Sequence, residues 1–295
     1  MLKALFEAAL ELIYPPRQVC PMCAGHSPGS SICLACEKQL EDYAGEMICP
    51  VCGAFGGPAG GGLSGGGPAG GIFHGASHGA SHGASRGAYG SPAGGLSRSL
   101  CGAATGERQR GLMLCPACRR AGRAFDLARS VGPYEGVLRD AVHRFKYRGI
   151  KGLARPLGAL MADAARKNPL LSQTQALVPV PLTPNRERKR GFNQALLLAR
   201  ELEQHLQVPV LERVVVKILE TPNQAGLARQ ERLVNLAQAF TVTGEALVKG
   251  RKITIIDDVI TTGSTVSIIS HLLRQAGATV ITVLTFAGTR FSVKS

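Results

Sequence analysis

Four C-x-x-C pairs constrain the fold of this chain more than any other feature of its sequence. Eight of the nine cysteines form these pairs, which are Cys20/Cys23, Cys33/Cys36, Cys49/Cys52 and Cys115/Cys118. A C-x-x-C turn directs two thiolates at one metal ion, and two such turns complete a tetrahedral zinc site. The simplest pairing predicts one structural zinc site from the first two pairs and a second site from the last two.

Two alternatives for the cysteines are disfavoured. A disulfide framework needs an oxidising compartment, and the N-terminus lacks the cleavage site of a secretory signal. A redox C-x-x-C normally occurs once, near a βαβ pattern, and not four times. Cys101, the remaining cysteine, is interpreted as a free thiol.

Residues 53–110 form an insertion between the halves of the second predicted zinc site. Gly, Ala, Ser and Pro dominate this segment, and a composition of that kind cannot bury enough apolar surface to fold. His74, His78 and His82 recur every fourth residue, but the glycines between them argue against a helix. The segment is therefore predicted to be a flexible loop, with adventitious metal binding as the alternative.

The charge and the N-terminus suggest partners and location. The net charge is +14 and the pI is about 9.7, which favours polyanions such as nucleic acid, nucleotide phosphates or anionic membrane. Residues 1–16 have one apolar helical face ended by Pro15-Pro16, and are predicted to form a short amphipathic helix. No apolar run of about 20 residues is present, so we expect a cytoplasmic protein without a transmembrane segment. Peripheral association with the inner face of the membrane is the alternative.

The chain from residue 125 onward has the pattern of an α/β domain. Apolar runs such as 176–182, 252–257 and 279–288 alternate with helical stretches such as 192–206 and 264–276. Strands that are apolar throughout and alternate with helices predict a parallel sheet covered on both faces. Ligands of such sheets bind at the carboxyl ends of the strands.

The stretch IDDVITTGST, residues 256–265, carries the most specific chemistry in the sequence. Asp257 and Asp258 follow a buried strand, and residues 261–265, called here the T-T-G turn, lead into a helix near Ser264. The amides and hydroxyls of such a turn can hold phosphate. Carboxylates repel phosphate, so the two aspartates are predicted to accept hydrogen bonds from ribose hydroxyls. The alternative, an ordinary strand-to-helix turn with Asp as a cap, explains neither the second aspartate nor the T-T-G-x-T spacing.

These residues resemble the PRPP-binding motif of type I phosphoribosyltransferases, and the whole chain resembles the ComF/GntX family. The matching pieces are the C-x-x-C pairs, FKYRG (145–149), residues 178–195, residues 221–232 and residues 256–265. The resemblance implies a double zinc ribbon over residues 17–124, interrupted by the insertion, and a phosphoribosyltransferase-like domain over residues 125–295.

The resemblance also implies roles for individual residues. Asp257 and Asp258 would bind the ribose hydroxyls of PRPP, with Mg²⁺ as a cofactor. The 5-phosphate would be held by Thr261, Thr262, Gly263, Ser264 and Thr265. A loop after the strand at 176–182 would face the pyrophosphate or a nucleic-acid backbone with Arg186, Arg188, Lys189 and Arg190; a solvated basic surface is the alternative. A flexible hood over residues 221–235 would contribute Gln224, Arg229 and Arg232.

Three functions remain open at this point. The first is a ComF-like factor of DNA uptake and natural competence, with a PRPP pocket and a basic surface that binds single-stranded DNA and works with the DNA-uptake machinery. The second is an active phosphoribosyltransferase; Thr261 stands where 6-oxopurine enzymes have an acidic residue, so that branch is disfavoured, and no base pocket is evident. The third is a GntX-like scaffold in iron–sulfur or thiol maintenance. Folds of this kind can keep a nucleotide pocket and lose the transfer chemistry.

Overall fold

A parallel sheet of four strands forms the centre of the described structure. A computed structural model of the chain describes residues 19–27, 32–56, 114–219 and 238–291. The strands are β2 (Leu127–Pro133), β3 (Ala176–Pro179), β6 (Lys252–Ile260) and β7 (Val280–Gly288). Their order is β2-β7-β6-β3, and each neighbouring pair is parallel. Ile255 of β6 lies opposite Val178 and Val283, so the middle of the sheet is largely apolar, as predicted, and the buried Thr254 and Thr282 hydrogen-bond to each other.

Helices cover both faces of this sheet. The longer ones are α3 (Gly136–Tyr147), α4 (Ala154–Arg166), α6 (Gln194–Leu206) and α8 (Ser264–Gln275). Helices α3, α4 and α6 share one buried core with Ile256, whereas α8 shares a second core with Ile253 and Ile255. The side chains of adjacent strand residues therefore pack into cores on opposite faces of the sheet, as the two-residue period of a strand requires. Among the described helices, none has the length and apolar composition needed to cross a bilayer.

Several short elements complete the described parts. They are α1 (Leu34–Ala44), β1 (Phe55–Gly56), α2 (Pro116–Arg120), a 3₁₀ helix (Lys151–Leu153), α5 (Pro184–Arg190), β4 (Val215–Lys217), β5 (Phe240–Val242), α7 (Glu245–Val248) and β8 (Arg290–Phe291). Strands β4 and β5 form an antiparallel pair. Helix α5 corrects one expectation, because the family resemblance implies a loop after the strand at 176–182 that carries Arg186, Arg188, Lys189 and Arg190. Thr183 caps this helix and accepts a hydrogen bond from the Arg186 amide at 3.4 Å, and Gly191 ends it in a left-handed conformation.

The cysteine-rich segments pack directly on the sheet domain. Strand β1 pairs in parallel with β8, and Arg290 of β8 binds both Glu46 and Glu135. Gly53 has a φ of +65°, and a Cβ at this position would lie 2.5 Å from the carbonyl oxygen of Ala128 in β2. The close approach thus depends on glycine. The predicted helix at 1–16 and most of the insertion lie outside the described residues, and the proposed domain boundaries stay a prediction.

Candidate phosphoribosyl site and two cysteine clusters

Asp257 and Asp258 lie near the carboxyl end of the central strand β6. The strand continues to Ile260, so both aspartates are inside its carboxyl-terminal end rather than just after it. Asp257 is opposite Thr285 of β7 and accepts a hydrogen bond from the Asp258 amide at 2.9 Å. This is the edge of a parallel sheet where ligands bind.

Asp258 forms an ion pair with Lys146 of helix α3. The Nζ–Oδ1 distance is 2.9 Å, and the side chains are 17% and 7% exposed. Burial and the positive charge of Arg190 disfavour the ammonium, but the Asp258 carboxylate outweighs them and raises the pKa of Lys146. A cation therefore already compensates one of the two carboxylates.

Asp257 has a pKa well above the ordinary value of an aspartate side chain. Burial and the negative charge of Asp258 raise the pKa of Asp257 to about 8, and the charge of Lys146 offsets only part of this effect. Near neutral pH, the Asp257 side chain therefore holds a proton. The Asp258 carboxylate can accept hydrogen bonds from the hydroxyl groups of a ligand. Once Asp257 loses its proton, the two side chains can each offer an oxygen to a hard cation.

The T-T-G turn joins β6 to the 12-residue helix α8. Gly263 precedes the helix with a φ of +74°, and the hydroxyls of Thr262 and Ser264 lie 3.0 Å apart. Thr261 and Thr262 are exposed, while Ser264 and Thr265 are half-buried. The first amides of a helix have no partner within it and carry a partial positive charge. The turn therefore has the donors that a phosphate group needs.

Helix α5 supplies a basic surface close to the aspartate pair. Arg188 and Lys189 are exposed, and Arg186 and Arg190 are half-buried. The Arg190 guanidinium lies 5.9 Å from the ring centroid of Tyr147, which is 63% exposed and adjacent in sequence to Lys146. Arg190 also donates to Gln194 at 3.0 Å.

The eight paired cysteines form two clusters. The first cysteine cluster contains Cys20, Cys23, Cys33 and Cys36, and the second contains Cys49, Cys52, Cys115 and Cys118. Within each cluster, all Sγ atoms lie within 4.8 Å of one another, and none of the eight is in a disulfide. The predicted pairing is confirmed, including closure of the second cluster across the insertion.

Both clusters fit a zinc ion. A tetrahedron with Zn–S bonds of about 2.3 Å has edges of about 3.8 Å. The Sγ atoms of Cys23 and Cys33 are 3.8 Å apart, and those of Cys52 and Cys115 are 3.5 Å apart. Burial raises the pKa of the Cys49 thiol. Hydrogen bonds from backbone N–H groups, of which that of Cys115 has the largest effect, outweigh burial and lower the pKa to about 7. Bound thiolates and N–H···S contacts of this kind are what a zinc knuckle requires.

Two family descriptions match the chain. "Double zinc ribbon domain" matches residues 9–65, and "Phosphoribosyl transferase domain" matches residues 192–291. The first match ends before Cys115, so the closure of the second cluster is a finding of the structure. The matches confirm the predicted combination of a zinc ribbon with a phosphoribosyltransferase-type α/β domain.

A relative in Haemophilus influenzae decides the family. This protein, named Competence protein F, is 35% identical over 190 residues, which are 62% of this chain and 82% of the relative. The chain belongs to the competence protein F (ComF) family. An Escherichia coli relative, DNA utilization protein YhgH, is 34% identical over 157 residues, 52% of this chain and 68% of the relative. A Bacillus subtilis relative, Competence protein ComFC, is 32% identical over 151 residues, 50% of this chain and 58% of the relative.

Solved structures provide a weaker comparison. A glutamine PRPP amidotransferase from B. subtilis, complexed with ADP and GMP, aligns with a TM-score of 0.33 and 17% identity. The alignment covers 44% of this chain and 26% of the amidotransferase.

The structure of this ComF protein brings together most of the predicted site residues. The aspartate pair, the T-T-G turn that follows it and the basic helix α5 all lie at one end of the sheet domain, connected through α3. Gln224, Arg229 and Arg232 of the predicted hood lie outside the described residues, as do Cys101 and the three histidines of the insertion.

Three cations with specific contacts at the site or at the first cysteine cluster were given no role from the sequence. Lys146 pairs with Asp258, Arg123 donates to the carbonyl of Thr262 at 3.1 Å, and Arg144 donates to the carbonyl of Pro21 at 2.6 Å. Lys146 lies within FKYRG, so the family resemblance pointed to its segment but not to its partner. Nothing in the local pattern around Arg123 or Arg144 indicates their contacts.

Proposed function

We propose that this protein binds PRPP with Mg²⁺ at the carboxyl end of β6. The observation that carries this proposal is the pair Asp257–Asp258 placed directly before a T-T-G turn at the start of a 12-residue helix. Two adjacent carboxylates match a diol or its metal ion, and the turn matches the phosphate on the same sugar. The residues 261–265 would hold the 5-phosphate.

Helix α5 would take the opposite end of the ligand. Arg190 lies close enough to Lys146 to affect its pKa, so the positive charge of α5 extends to the aspartate pair. A diphosphate bound there would be met by Arg186 and Arg190, with Arg188 and Lys189 directed at solvent. When bound, Mg²⁺ would neutralise diphosphate charge, and this chain's residues would bind and orient the sugar.

The biological role that we propose is the binding of single-stranded DNA during DNA uptake. Relatives named for competence and for DNA utilization support this role. The net charge of +14 and the exposed Arg188 and Lys189 support affinity for a nucleic-acid backbone. We expect the protein to act in the cytoplasm, with the DNA-uptake machinery as its partner.

PRPP titration by isothermal calorimetry tests the central assignment. The wild type should bind PRPP in the presence of Mg²⁺, and the double variant Asp257→Asn/Asp258→Asn should bind at least tenfold more weakly. The matched control is Asp140→Asn/Asp163→Asn, since Asp140 and Asp163 are exposed and pair with arginines at the surface. Equal affinity of wild type and the first double variant would remove the PRPP assignment.

Phosphoribosyl transfer is the second candidate function, and one cavity favours it. A cavity of about 510 Å³ lies beside Thr261, Thr262 and Gly263, with residues of the second cysteine cluster on its other side. This volume is within the range of small-molecule sites, about 300–1,000 Å³. The cavity is large enough for a nitrogen-containing acceptor and lies next to the turn that would hold the 5-phosphate. Release of pyrophosphate from PRPP on addition of candidate bases or amines would distinguish an enzyme from a binding protein.

A further inference from the structure

Arg123 lies between the second cysteine cluster and the T-T-G turn and binds both. Its Nε donates to Cys118 Sγ at 3.4 Å, and its Nη1 donates to the carbonyl oxygen of Thr262 at 3.1 Å. The guanidinium is a rigid fork whose donors point in fixed directions. Two ends of one rigid group therefore join a sulfur of the second cysteine cluster to the backbone of the turn, and Arg123 is itself 139 residues from Thr262 in the sequence.

The bond to Thr262 fixes the orientation of a peptide group inside the turn. In a trans peptide the C=O and the following N–H point in opposite directions. Because the Thr262 carbonyl points toward Arg123, the amide of Gly263 is directed away from the cysteine cluster. Gly263 is in the left-handed region, and a Cβ there would lie 3.4 Å from Arg123 Nη1. Arg123 therefore packs against the turn as well as bonding to it.

The other end of Arg123 depends on the metal site. Four thiolates around one Zn²⁺ carry a net charge of −2, which attracts a guanidinium and strengthens an N–H···S contact. Without metal the two C-x-x-C segments lose their common ligand, and Cys118 no longer holds Arg123 in place. The position of the turn would then change although no residue of the turn had been altered.

The first cysteine cluster has a different connection. Arg144 of helix α3 donates to the carbonyls of Pro21 and Met22, which belong to the C-x-x-C turn of Cys20 and Cys23. This contact ties the first cluster to the helix that carries Lys146, and not to the T-T-G turn. The two clusters are therefore separable in experiment.

We infer that Arg123 is a positioning residue that makes the shape of the T-T-G turn, and hence its affinity for a phosphorylated sugar, depend on metal at the second cysteine cluster. The predicted effect on affinity rests on the proposed PRPP binding. The predicted effect on the shape of the turn does not, because it concerns the backbone of residues 261–265 in the free protein.

The test uses the full chain loaded with zinc and four variants. Arg123→Gln removes the charge and the fork, Arg123→Lys keeps the charge but removes the fork, and Cys118→Ser removes one ligand of the second cluster. Arg119→Gln is the matched control, since Arg119 lies on the same ribbon segment, is exposed and donates to Leu114 within that segment. Zinc content, hydrogen exchange over residues 261–265 and PRPP affinity are measured for each.

We expect the backbone amides of residues 261–265 to exchange their hydrogens faster in both Arg123 variants than in the wild type. Both variants should also bind PRPP at least about tenfold more weakly, which is the effect of losing a charge-assisted hydrogen bond. Both should retain two zinc ions, since their cysteines are intact. Cys118→Ser should retain one zinc ion and show the same faster exchange. Arg119→Gln should match the wild type in all three measurements.

The outcomes separate this inference from the proposed function. Unchanged exchange at 261–265 in Arg123→Gln overturns the positioning role, whatever the PRPP affinities are. Wild-type behaviour of Arg123→Lys, with loss only in Arg123→Gln, also overturns it, because charge alone would then suffice. If the wild type does not bind PRPP but exchange responds to Arg123, the proposed function fails and the positioning role stands. If Cys118→Ser does not fold, removal of zinc from the wild type with a chelator replaces it, and unchanged exchange at 261–265 after loss of the second zinc ion overturns the dependence on metal.

Discussion

Lys146 Nζ lies 2.9 Å from Asp258 Oδ1, and both side chains are largely buried. We predict that Lys146→Met lowers the free energy of unfolding by about 3 kcal/mol, because it leaves a buried carboxylate without its partner. Lys146→Met/Asp258→Asn should recover much of this loss, since the uncompensated charge is gone. Urea unfolding followed by circular dichroism measures both effects.

The control for this pair is on the same helix. Arg139 lies 3.8 Å from Asp140, and both side chains are more than half exposed. Arg139→Met should therefore change stability by less than about 1 kcal/mol. If Lys146→Met costs no more than Arg139→Met, the buried ion pair does not contribute as we infer.

The raised pKa of Asp257 gives stability a pH dependence of defined sign. The folded protein holds this proton up to a pKa of about 8, whereas the ordinary pKa of an aspartate side chain is 3.8. Between these values the folded state binds more protons than the unfolded state, so this contribution to stability is lost as pH rises. Asp257→Asn mimics the protonated side chain. Its melting temperature relative to wild type should therefore increase from pH 5 to pH 8.5, in the absence of Mg²⁺.

A surface aspartate provides the comparison for this pH series. Asp42 is exposed on helix α1, and Asp42→Asn is the control that removes a surface carboxylate over the same pH range. The same pH trend in Asp257→Asn and Asp42→Asn would show that Asp257 ionises normally in the folded protein.

The sequence was sufficient to predict the sheet and the cysteine clusters because their signals are local. The apolar run from Ile253 to Ile256 and the helical spacing after Ser264 each determine one element, and each C-x-x-C pair determines its own turn. Helix α5 had local signals too. Thr183, Pro184 and Gly191 are a cap, a first-turn proline and a C-terminal glycine, and they favour a helix where the family resemblance implied a loop.

The contacts of Lys146 and Arg123 could not be predicted in this way. Lysine and arginine on a basic protein are usually interpreted as surface residues, and nothing beside them identifies a partner far along the chain. Arg123 and Thr262 are 139 residues apart, and only the packing of the ribbon on the sheet brings them together. The aspartate pair itself was evident from the sequence, but the ion pair of Asp258 with Lys146 could be identified only from the structure.

The basic surface on α5 predicts a salt-dependent affinity for single-stranded DNA. Arg188→Gln/Lys189→Gln should weaken binding to an oligonucleotide and reduce the slope of log K against log salt by about 0.7 for each phosphate that the variant no longer neutralises. Fluorescence anisotropy at several salt concentrations measures the slope. Lys38→Gln/Lys167→Gln removes the same charge from exposed positions on α1 and after α4 and should leave the slope unchanged. Equal slopes for the two double variants would place the DNA elsewhere.

Tyr147 offers a stacking surface next to these cations. Its ring is 63% exposed and lies under Arg190, with the His143 ring 4.7 Å away between centroids. Base stacking on an aromatic side chain contributes about 1–3 kcal/mol. Tyr147→Ala should therefore weaken binding of single-stranded DNA by about tenfold without changing the salt slope, and Tyr147→Phe should bind like the wild type. Loss of affinity in Tyr147→Phe would instead implicate the hydroxyl group.

Gly53 tests the contact between the second cysteine cluster and the sheet. Its φ of +65°, and the 2.5 Å that would separate a Cβ at this position from the Ala128 carbonyl oxygen, leave no room for alanine. Gly53→Ala should lower the free energy of unfolding by about 1–3 kcal/mol through backbone strain and displacement of the ribbon. Gly122→Ala is the matched control, since no atom lies within 4 Å of a Cβ at that position. Because Gly53 donates its amide to Cys49, the strain reaches the second cluster but not the first. Zinc release to a chelator should consequently accelerate for one of two zinc ions in Gly53→Ala, and for neither in Gly122→Ala; uniform release from both would mean that the whole fold, and not this contact, had been weakened.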